Sequence, residues 1–442
     1  MRIQLSEHFT WNKLLRFTFP SIIMMIFTSI YVVVDGFFVS NFAGKTAFSA
    51  INLVYPALAL VDALAFMMES GSAAIVGKQL GEGNRKQANN SFSLIVCIVI
   101  VFAILIMIPG YIFLDDISRL LGASEEMMPY CRIYARILLS VFPFRMCQYI
   151  FQAFFIAGEK SSLGLKVTLG AGGINMILDA LFVAVFKWGL AGACIATVLA
   201  QVFGSLCGIV YFIRPNDSLL QLVKPKFDLH VLVKSCTNGM SEFVGNLAYS
   251  TIFILYNWQL MRMIGQNGVA AYGVIQYIVY IFASIYYGFN AGVSSLVSFN
   301  FGAKNHEELH NLYTKSLVFM TAAGLGILLI NLLLADSLSR IFVGYDEQLY
   351  LLTSRALKIY SYSFTIYGIN IFGSAFFTAL NNGWISGILA FTRLFLFEVG
   401  CVFLLPYMMG VDGIWYAKLV AELLGIGLTT LFFIRFKKKY HY

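Results

Sequence analysis

The chain has 442 residues, of which 59% are hydrophobic and only 12% are charged. A soluble globular domain carries about 25% charged residues, so this composition excludes an ordinary soluble protein and favours one that crosses a membrane many times. The formal net charge of +8 does not indicate nucleic-acid binding, because the Lys and Arg residues lie in short segments between long apolar runs.

Twelve long apolar runs follow one another along the chain, and each is long enough to cross a bilayer as a helix. In chain order they are spans 1 to 12, at residues 15–39, 48–72, 91–114, 131–157, 163–186, 189–213, 238–262, 270–296, 312–334, 357–380, 384–408 and 412–435. We predict helices because a segment in lipid must satisfy its own backbone hydrogen bonds, and the alternation typical of a membrane β-barrel is missing. The first run is too long for a signal peptide and lacks a small-residue cleavage site, so we expect it to be a permanent span.

The positive charges indicate how these spans are oriented. If the N-terminus is cytoplasmic, the cytoplasmic segments hold 18 Lys and Arg residues and the outer segments hold 9. Because Lys and Arg are enriched on the cytoplasmic side, we predict a multi-pass protein of the cell membrane with both termini in the cytoplasm. The segment between spans 6 and 7 contains Pro215 and Pro225 and is the longest cytoplasmic segment, so it is predicted to link two halves.

An internal repeat relates these two halves. The matching segments are GSAAIVGKQLGEGN (71–84) with GVSSLVSFNFGAKN (292–305), GLAGACIATVLAQVFG (189–204) with GVDGIWYAKLVAELLG (410–425) and FIR (212–214) with FIR (433–435), all at an offset of 221, and QAFFIA (152–157) with SAFFTA (374–379) at 222. Six spans per half is an even number, so both halves enter the membrane from the same side and are parallel repeats. We therefore predict an all-α polytopic membrane protein with an N-lobe (1–214), a linker (215–237), a C-lobe (238–442) and a V-shaped cleft between the lobes.

In their order and spacing, these segments resemble the MATE (multidrug and toxic compound extrusion) transporters over nearly the whole chain. The segments that carry the resemblance are Pro20 followed by VVVDGFFVSNFAG, LGEGN, NMILD followed by GLAGACIATVLAQ, GVAAYGVI, SFNFGAKN and GVDGIWYA. The combination of Asp35 with Asn175 and Asp179 is most similar to the branch that includes the DinF-like and MepA-like bacterial proteins.

The resemblance implies an exporter of organic cations and other amphipathic drugs that works by alternating access, driven by an inward flow of H⁺ or Na⁺. It implies that Asp35, Asn175 and Asp179 form the ion-coupling site of the N-lobe, and the metal site if the ion is Na⁺. It also implies that span 1 bends at Pro20 when its acid is protonated. Other branches place a Glu in span 7 and an Asp in span 10. Here Glu242 lies near the inner end of span 7 and span 10 has no acid, so a C-lobe Na⁺ site of that type is not expected.

The residues themselves lead to the same carboxylates, since ionisable groups inside membrane spans are costly and are candidates for function. Asn175 and Asp179 are four residues apart and share a helix face, while Asp35 lies at a depth similar to that of Asp179. Two neighbouring carboxylates favour uptake of a proton, and with the amide of Asn175 they are equally a set of oxygen ligands for Na⁺. A polar network that only joins helices is the alternative.

Other charged residues in the spans have less specific predictions. Arg145 is predicted to neutralise an acid of the N-lobe, with Asp62 as the candidate nearest in depth. Glu69 and Glu242 lie near the cytoplasmic edge of their spans, where either a solvated helix end or a contact with drug or ion is expected. Each of these four is a secondary candidate for the polar lining of the cleft.

In the C-lobe, Lys418 and Glu422 are four residues apart on span 12, which predicts an ion pair within one helix. Arg393 and Glu398 are five residues apart and do not share a face of an α-helix, so one of them is a candidate to face the cleft.

Span 8 presents Gln276, Tyr280 and Tyr287 at intervals of four and seven residues, which places them on one helix face. Tyrosine rings can hold organic cations by cation–π contact, which makes this face a candidate substrate surface. Helix packing or an interfacial aromatic belt is the alternative.

Several motifs are missing from the sequence. It has no GxxxxGK[ST] loop for ATP, no HExxH or GxSxG motif and no CxxC pair among its seven Cys, so neither an enzyme nor a cofactor beyond the coupling ion is expected. Two other functions remain open, a lipid-linked glycan flippase of the same superfamily and a membrane scaffold without transport activity. The expected partners of a monomer are cationic or amphipathic small molecules and membrane lipid, not nucleic acid.

Overall fold

The computed structural model describes residues 3–39, 42 and 45–442, and within them the chain forms helices and no β-strand. The end of the VVVDGFFVSNFAG segment, at residues 40, 41, 43 and 44, lies outside this part of the chain. The N-lobe consists of α1 (Trp11–Phe38), α2 (Lys45–Gly81), α3 (Arg85–Ile112), α4 (Leu114–Leu120), α5 (Met128–Ser140), α6 (Phe142–Ala157), α7 (Ser161–Asp179) and α8 (Gly189–Ile213). After α9 (Leu229–Asn238), the C-lobe consists of α10 (Met240–Met263), α11 (Gln266–Gly302), α12 (His306–Val343), α13 (Glu347–Ser361), α14 (Phe364–Ala379), α15 (Gly383–Phe391), α16 (Val399–Met409) and α17 (Val411–Tyr440).

All twelve predicted spans coincide with helices, although several are interrupted. Among the described residues, nine helices are long and apolar enough to cross a membrane without a sharp break. Span 4 is the pair α5–α6, which is bent by 56°. Span 10 is the pair α13–α14, and π-helical segments at Ala180–Val185 (π1) and Thr392–Glu398 (π2) lie within spans 5 and 11. The fold is therefore the predicted all-α polytopic architecture.

Two helices extend well beyond their predicted apolar runs. Helix α2 continues to Gly81 and α11 to Gly302, and each is followed by a tight turn. The next helix then begins after an Asn whose side chain accepts a backbone hydrogen bond, Asn84 in the first repeat and Asn305 in the second. An N-cap of this kind stabilises a helix by about 1 kcal/mol. These extensions were not predicted because they are less apolar, and they remain helical where they pack against each other.

Backbone geometry confirms the repeat. Gly189, which begins α8, and Gly410, which precedes α17, are related by the offset of 221 and have φ angles of +56° and +60°. Glycine adopts this left-handed region without the steric cost that other residues meet. The interrupted spans match as well, since α5 ends at Ser140 and α13 ends at Ser361. The two lobes are thus parallel copies of one six-span unit.

The lobes meet along α2 and α11, at the end of the molecule that also holds both chain termini. We call this end the terminal end. At three glycines a methyl group would overlap the opposite helix, so the backbones approach closely. These contacts are Gly77 with Ser298, Gly81 with Phe299 and Gly302 with Lys78. Ser298 is the repeat mate of Gly77, so this pair lies on the pseudo-two-fold axis. Close glycine contacts let helices pack tightly in a membrane.

Two further seams flank this central contact, and they are also related by the repeat. In one, Gly71 of α2 lies against Ser235 of α9, and in the other Gly292 of α11 lies against Thr18 of α1. The terminal end is therefore closed by three helix–helix contacts between the lobes.

Toward the opposite end the lobes separate around a cleft. Tyr55 of α2 is 51% exposed, and Tyr249 of α10 and Tyr280 of α11 are 53% and 42% exposed. The side chain of Tyr55 nevertheless lies close enough to both of the others for electrostatic interaction across the gap between the lobes. Half-exposed side chains that face one another from opposed helices line an open space.

Polar contacts fix both the N-terminal segment and the predicted linker at the terminal end. The backbone N–H of Phe9 donates to Glu308 of the other lobe at 3.0 Å. The linker runs beside α3, where the N–H of Val223 donates to Ser93 at 2.8 Å and that of Lys226 donates to Asn90 at 2.6 Å. The last part of the predicted linker is helical and forms most of α9.

Candidate functional site

The structure brings Asp35, Asn175 and Asp179 together inside the N-lobe. Asp35 lies in the last turns of α1, and Asp179 is the final residue of α7. Their carboxyl groups are close enough to interact electrostatically. Asp179 is completely buried, Asn175 is 2% exposed and Asp35 is partly exposed. The cluster is thus a buried site with one member at its edge, in agreement with the depth and helix-face predictions.

Most oxygen atoms of this cluster lack a protein donor. Within the described residues, both carboxyl oxygens of Asp179 and one oxygen each of Asp35 and Asn175 have no hydrogen-bond partner. The amide nitrogen of Asn175 donates to the hydroxyl of Thr197 on α8 at 3.3 Å, which turns the amide oxygen away from that contact. Buried polar atoms are nearly always satisfied in native proteins, and buried charges are paired. The donor set therefore suits a proton or a monovalent metal ion.

The two helices that carry the carboxylates each have one irregular feature of the backbone. Pro20 lies inside α1, and the helix continues through it to Phe38. On the other side, π1 begins directly after Asp179. Single-turn π-helical segments are frequent at functional sites because they re-aim the side chains of a helix. Both helices that carry the carboxylates therefore contain a local departure from regular α-helix geometry.

Arg145 pairs with Asp62, as predicted. Its Nε donates to one carboxyl oxygen at 2.8 Å and its Nη2 to the other at 2.5 Å. The side chains are 13% and 7% exposed, and the guanidinium lies 5.9 Å from the ring centroid of Tyr149. This fork-to-fork pair neutralises both charges. Arg145 is therefore committed to Asp62 and forms no ion pair with Asp35 or Asp179.

Glu69 and Glu242 face each other from opposite lobes. Glu242 lies in the first turn of α10, as expected for a residue near the edge of its span. Glu69 lies well inside α2 because this helix continues to Gly81, which excludes the solvated helix end among its two alternatives and leaves a contact with drug or ion open. Both side chains are partly exposed and close enough to interact electrostatically. Neither side chain has a hydrogen bond or ion pair among the described residues, so the pair places two carboxyl groups without basic partners at the base of the cleft.

The three residues of the predicted face of span 8 lie in two different environments in the structure. Tyr280 and Tyr287 are each 42% exposed, and the hydroxyl of Tyr287 lies 3.4 Å from that of Tyr367. Gln276 is only 8% exposed and lies beside Tyr360 in the C-lobe interior. The two tyrosines thus line the cleft, whereas Gln276 belongs to the core.

A buried charge network occupies the centre of the C-lobe. The predicted pair within α17 is present, with Lys418 Nζ at 3.1 Å from Glu422. The same ammonium group lies 2.7 Å from Glu398, and Arg393 lies 3.0 Å from Glu422. Asn370 donates to the second oxygen of Glu422 at 2.6 Å. Two cations and two anions, all at most 7% exposed, therefore balance each other in the interior of the C-lobe.

The expectation that Arg393 or Glu398 faces the cleft is wrong for a local reason. Both residues lie in π2, where backbone hydrogen bonds join residues five apart rather than four. Side chains five positions apart come to one face in such a segment, and both turn toward α17. The sequence gives no periodicity signal for a π-helical segment, so this convergence was not predicted.

The sequence patterns also do not indicate the neutral polar residues that complete the two clusters. Thr197 holds Asn175 in the N-lobe, and Thr429 donates to Asn370 at 2.9 Å in the C-lobe. In addition, Tyr256 is fully buried, and its hydroxyl has no hydrogen-bond partner within the described residues. Comparison across the repeat could have found Thr197 and Tyr256, because their repeat mates are Lys418 and Asp35.

Comparisons with known proteins agree with this architecture. The model of the MatE family matches the chain twice, over residues 20–181 and again over 243–404. The "Multidrug export protein MepA" of Staphylococcus haemolyticus is 22% identical over 417 residues, covering 94% of this chain and 91% of the relative. The protein of the same name in Staphylococcus aureus strain MSSA476 is 23% identical, with 93% and 91% covered. A solved structure described as an outward-facing conformation of a multidrug resistance MATE family transporter superposes with a TM-score of 0.92 at 20% identity, covering 97% of this chain and 96% of that one.

Proposed function

The chain belongs to the MATE family of transporters, and on this basis we propose that it is an antiporter that exports organic cations and amphipathic drugs in exchange for H⁺ or Na⁺. The observation that carries the proposal is the proximity of Asp35 and Asp179, two acids in the N-lobe interior without a cationic partner among the described residues. The relatives of this chain that are named multidrug export proteins support drug export as the process that this site drives.

The coupling step follows from the electrostatics of this pair. Two carboxylates that lie close together and out of water repel each other strongly unless a proton or a metal ion lies between them. The Asn175 oxygen adds a third acceptor on the same side. Asp35 and Asp179 therefore hold one cation together, and its release leaves a repulsion that favours separation of α1 from α7. The ion thus acts as a co-substrate of transport.

The cleft supports a cationic or amphipathic substrate. Its walls present half-exposed tyrosines from both lobes, and its base presents Glu69 and Glu242. Tyrosine rings attract an organic cation through their π-faces and pack against its apolar parts. The carboxylates favour positive charge on the substrate and disfavour a pyrophosphate-linked lipid. Drug export therefore fits this cleft better than glycan flipping.

Alternating access would exchange which end of the cleft is open. The contact of Gly77 with Ser298 closes the terminal end, and the positive charge of that end indicates that it is cytoplasmic. The cleft then opens to the outside of the cell membrane. Opening to the cytoplasm requires that α2 and α11 separate, and bending of α1 at Pro20 would transmit the state of Asp35 to the neighbouring seam at Thr18.

The test is drug transport in everted membrane vesicles with a proton gradient and a Na⁺ gradient imposed separately. We expect ethidium to accumulate in the vesicles when one of the two gradients is present. Its accumulation should stop when that gradient is collapsed. Transport that depends on neither gradient would overturn the coupling proposal. Absence of transport in a correctly inserted protein would favour a flippase or a scaffold without transport activity.

A further inference from the structure

The repeat places Lys418 at a particular position of the C-lobe. Helix α17 corresponds to α8 at the offset of 221, and the left-handed glycines Gly189 and Gly410 fix this register. In this register Lys418 is the repeat mate of Thr197, the residue that holds Asn175 in the N-lobe cluster. The C-lobe thus puts an ammonium group where the N-lobe has a hydroxyl at the edge of its ion site.

One further position of the N-lobe cluster, Asp35, has a polar counterpart in the C-lobe. The repeat mates of Asn175 and Asp179 are Leu396 and Gly400, so the acid of span 11 lies two residues before the mate of Asp179. Asp35 corresponds to Tyr256, which is fully buried and lies close enough to Glu398 for electrostatic interaction. In span 5 the acid Asp179 adjoins π1, and in span 11 the acid Glu398 is the last residue of π2. In the N-lobe, spans 1, 5 and 6 therefore meet at a buried acid. In the C-lobe, the corresponding spans 7, 11 and 12 do the same.

The two clusters differ in how their negative charge is balanced. The N-lobe acids have no basic partner among the described residues, so they need a cation from solution. In the C-lobe, Lys418 Nζ lies between two acids, at 2.7 Å from Glu398 and 3.1 Å from Glu422, and Arg393 supplies the second positive charge. Tyr367 covers the ammonium group, with its ring centroid at 4.8 Å.

We infer that the ammonium group of Lys418 is a tethered cation, which occupies in the C-lobe the place that the exchangeable coupling ion takes in the N-lobe. This inference rests on the proposed function, since it compares Lys418 with a coupling ion. The C-lobe is then permanently in its cation-bound state, and Lys418 is a positioning residue that keeps an ion-binding architecture from exchanging ions. Removal of the amine leaves Glu398 without its cation, which creates a latent site for H⁺ or Na⁺.

The experiment measures whether loss of Lys418 creates a dependence on a free cation. All proteins are full-length, purified in detergent, and carry Asp35→Asn and Asp179→Asn so that the N-lobe site cannot contribute. The variants on this background are Lys418→Thr, which copies the N-lobe residue, Lys418→Arg, which keeps the charge, and Lys418→Thr with Glu398→Gln, which removes both charges. Their Tm is measured against Na⁺ at constant ionic strength with choline, and separately against pH.

We expect the Lys418→Thr protein to have a lower Tm at neutral pH without Na⁺, because one partner of a buried pair has been removed. Its Tm rises with Na⁺ if the latent site takes the metal, or with acid if it takes a proton, and ligand linkage makes the rise logarithmic in cation concentration. The parent, the Lys418→Arg protein and the double replacement show no such rise. If Lys418→Thr does not fold at neutral pH, recovery of folding by Glu398→Gln supports the same conclusion.

A Tm of Lys418→Thr that responds to neither cation would overturn the inference, because Lys418 would then act by packing alone. The inference would also be overturned if the response to cations persists when Glu398 is replaced as well. It would likewise be overturned if Lys418→Thr and the double replacement both fail to fold. Transport is not measured, and the N-lobe carboxylates are absent from every protein, so failure of the proposed coupling would leave this outcome unchanged.

Discussion

Asp35 on α1 and Asp179 at the end of α7 lie close enough to interact electrostatically, and no basic side chain of the described residues pairs with either. The repeat mate of Asp35 is Tyr256, and the acids of the C-lobe are bound to Lys418 and Arg393. Ion coupling is therefore expected to belong to the N-lobe alone, although the two lobes share one architecture.

A disulfide across the pseudo-two-fold axis is expected to lock the cleft. A Cβ atom built at Gly77 lies 3.0 Å from the Cβ of Ser298, and a small shift of the helices brings the pair into the range for a disulfide. In a chain without its native cysteines, the variant Gly77→Cys with Ser298→Cys should cross-link under oxidation and stop transport. Reduction should restore transport, and each single variant serves as a control. Undiminished transport by the cross-linked protein would show that α2 and α11 need not separate.

Loss of Arg145 is expected to destabilise the N-lobe. Arg145→Gln leaves the Asp62 carboxylate buried without its partner, and such a change typically costs about 3–5 kcal/mol. The double variant with Asp62→Asn should recover most of that loss, because both charges are removed together. Arg132→Gln is the matched control, since its pair with Asp115 is exposed and its loss should change little. Denaturation in detergent measures the stability of the parent protein and of these three variants, and equal stability of the two single Arg variants would contradict the assignment.

Tyr280 is expected to contact cationic substrates. Tyr280→Ala should weaken binding of tetraphenylphosphonium by roughly 2- to 30-fold, which corresponds to about 0.5–2 kcal/mol for a cation–π contact. Tyr280→Phe keeps the ring and should bind nearly as well as the parent protein. Tyr407→Ala, at an 84% exposed position on α16, is the control. Equal affinities of the Ala and Phe variants at position 280 would assign this tyrosine to packing instead.

Glu69 and Glu242 are expected to select for positive charge. Glu69→Gln and Glu242→Gln should each weaken the binding of a monovalent organic cation by about 2- to 5-fold, as for a partly exposed ion pair worth up to ~1 kcal/mol. A neutral amphipathic compound of similar size should bind with unchanged affinity. Asp116→Asn, in an exposed segment, is the control. A parallel loss of affinity for the cation and the neutral compound would argue against a role of charge.

The spans, the repeat and the N-lobe cluster could be predicted because each depends on a regular pattern. Apolar length defines a span, the offset of 221 defines the repeat, and counting residues from the same membrane side places Asp35 level with Asp179. The pairing of Arg145 with Asp62 followed from the same count of depth. These arguments need only the rise of a regular helix and the cost of charge in lipid.

What could not be predicted depends on local departures from that regularity. The π-helical segment at Thr392–Glu398 turns Arg393 and Glu398 to one face, and no periodicity in the sequence indicates it. Hydropathy does not indicate that Glu69 lies inside a helix and not at a helix end, because the extension of α2 is stabilised by packing on α11. Gln276 and Tyr280 are four residues apart, yet the neighbours of α11 bury the first and leave the second in the cleft.

The central claim is that the carboxylate of Asp35 couples ion flow to export, and gradient-driven ethidium transport by Asp35→Asn tests it most directly. The measurement uses proteoliposomes containing equal amounts of folded parent protein, Asp35→Asn and the control Asp116→Asn. We predict that Asp35→Asn transports no faster than liposomes without protein, whereas Asp116→Asn matches the parent. Gradient-driven transport by Asp35→Asn at the parental rate would contradict it.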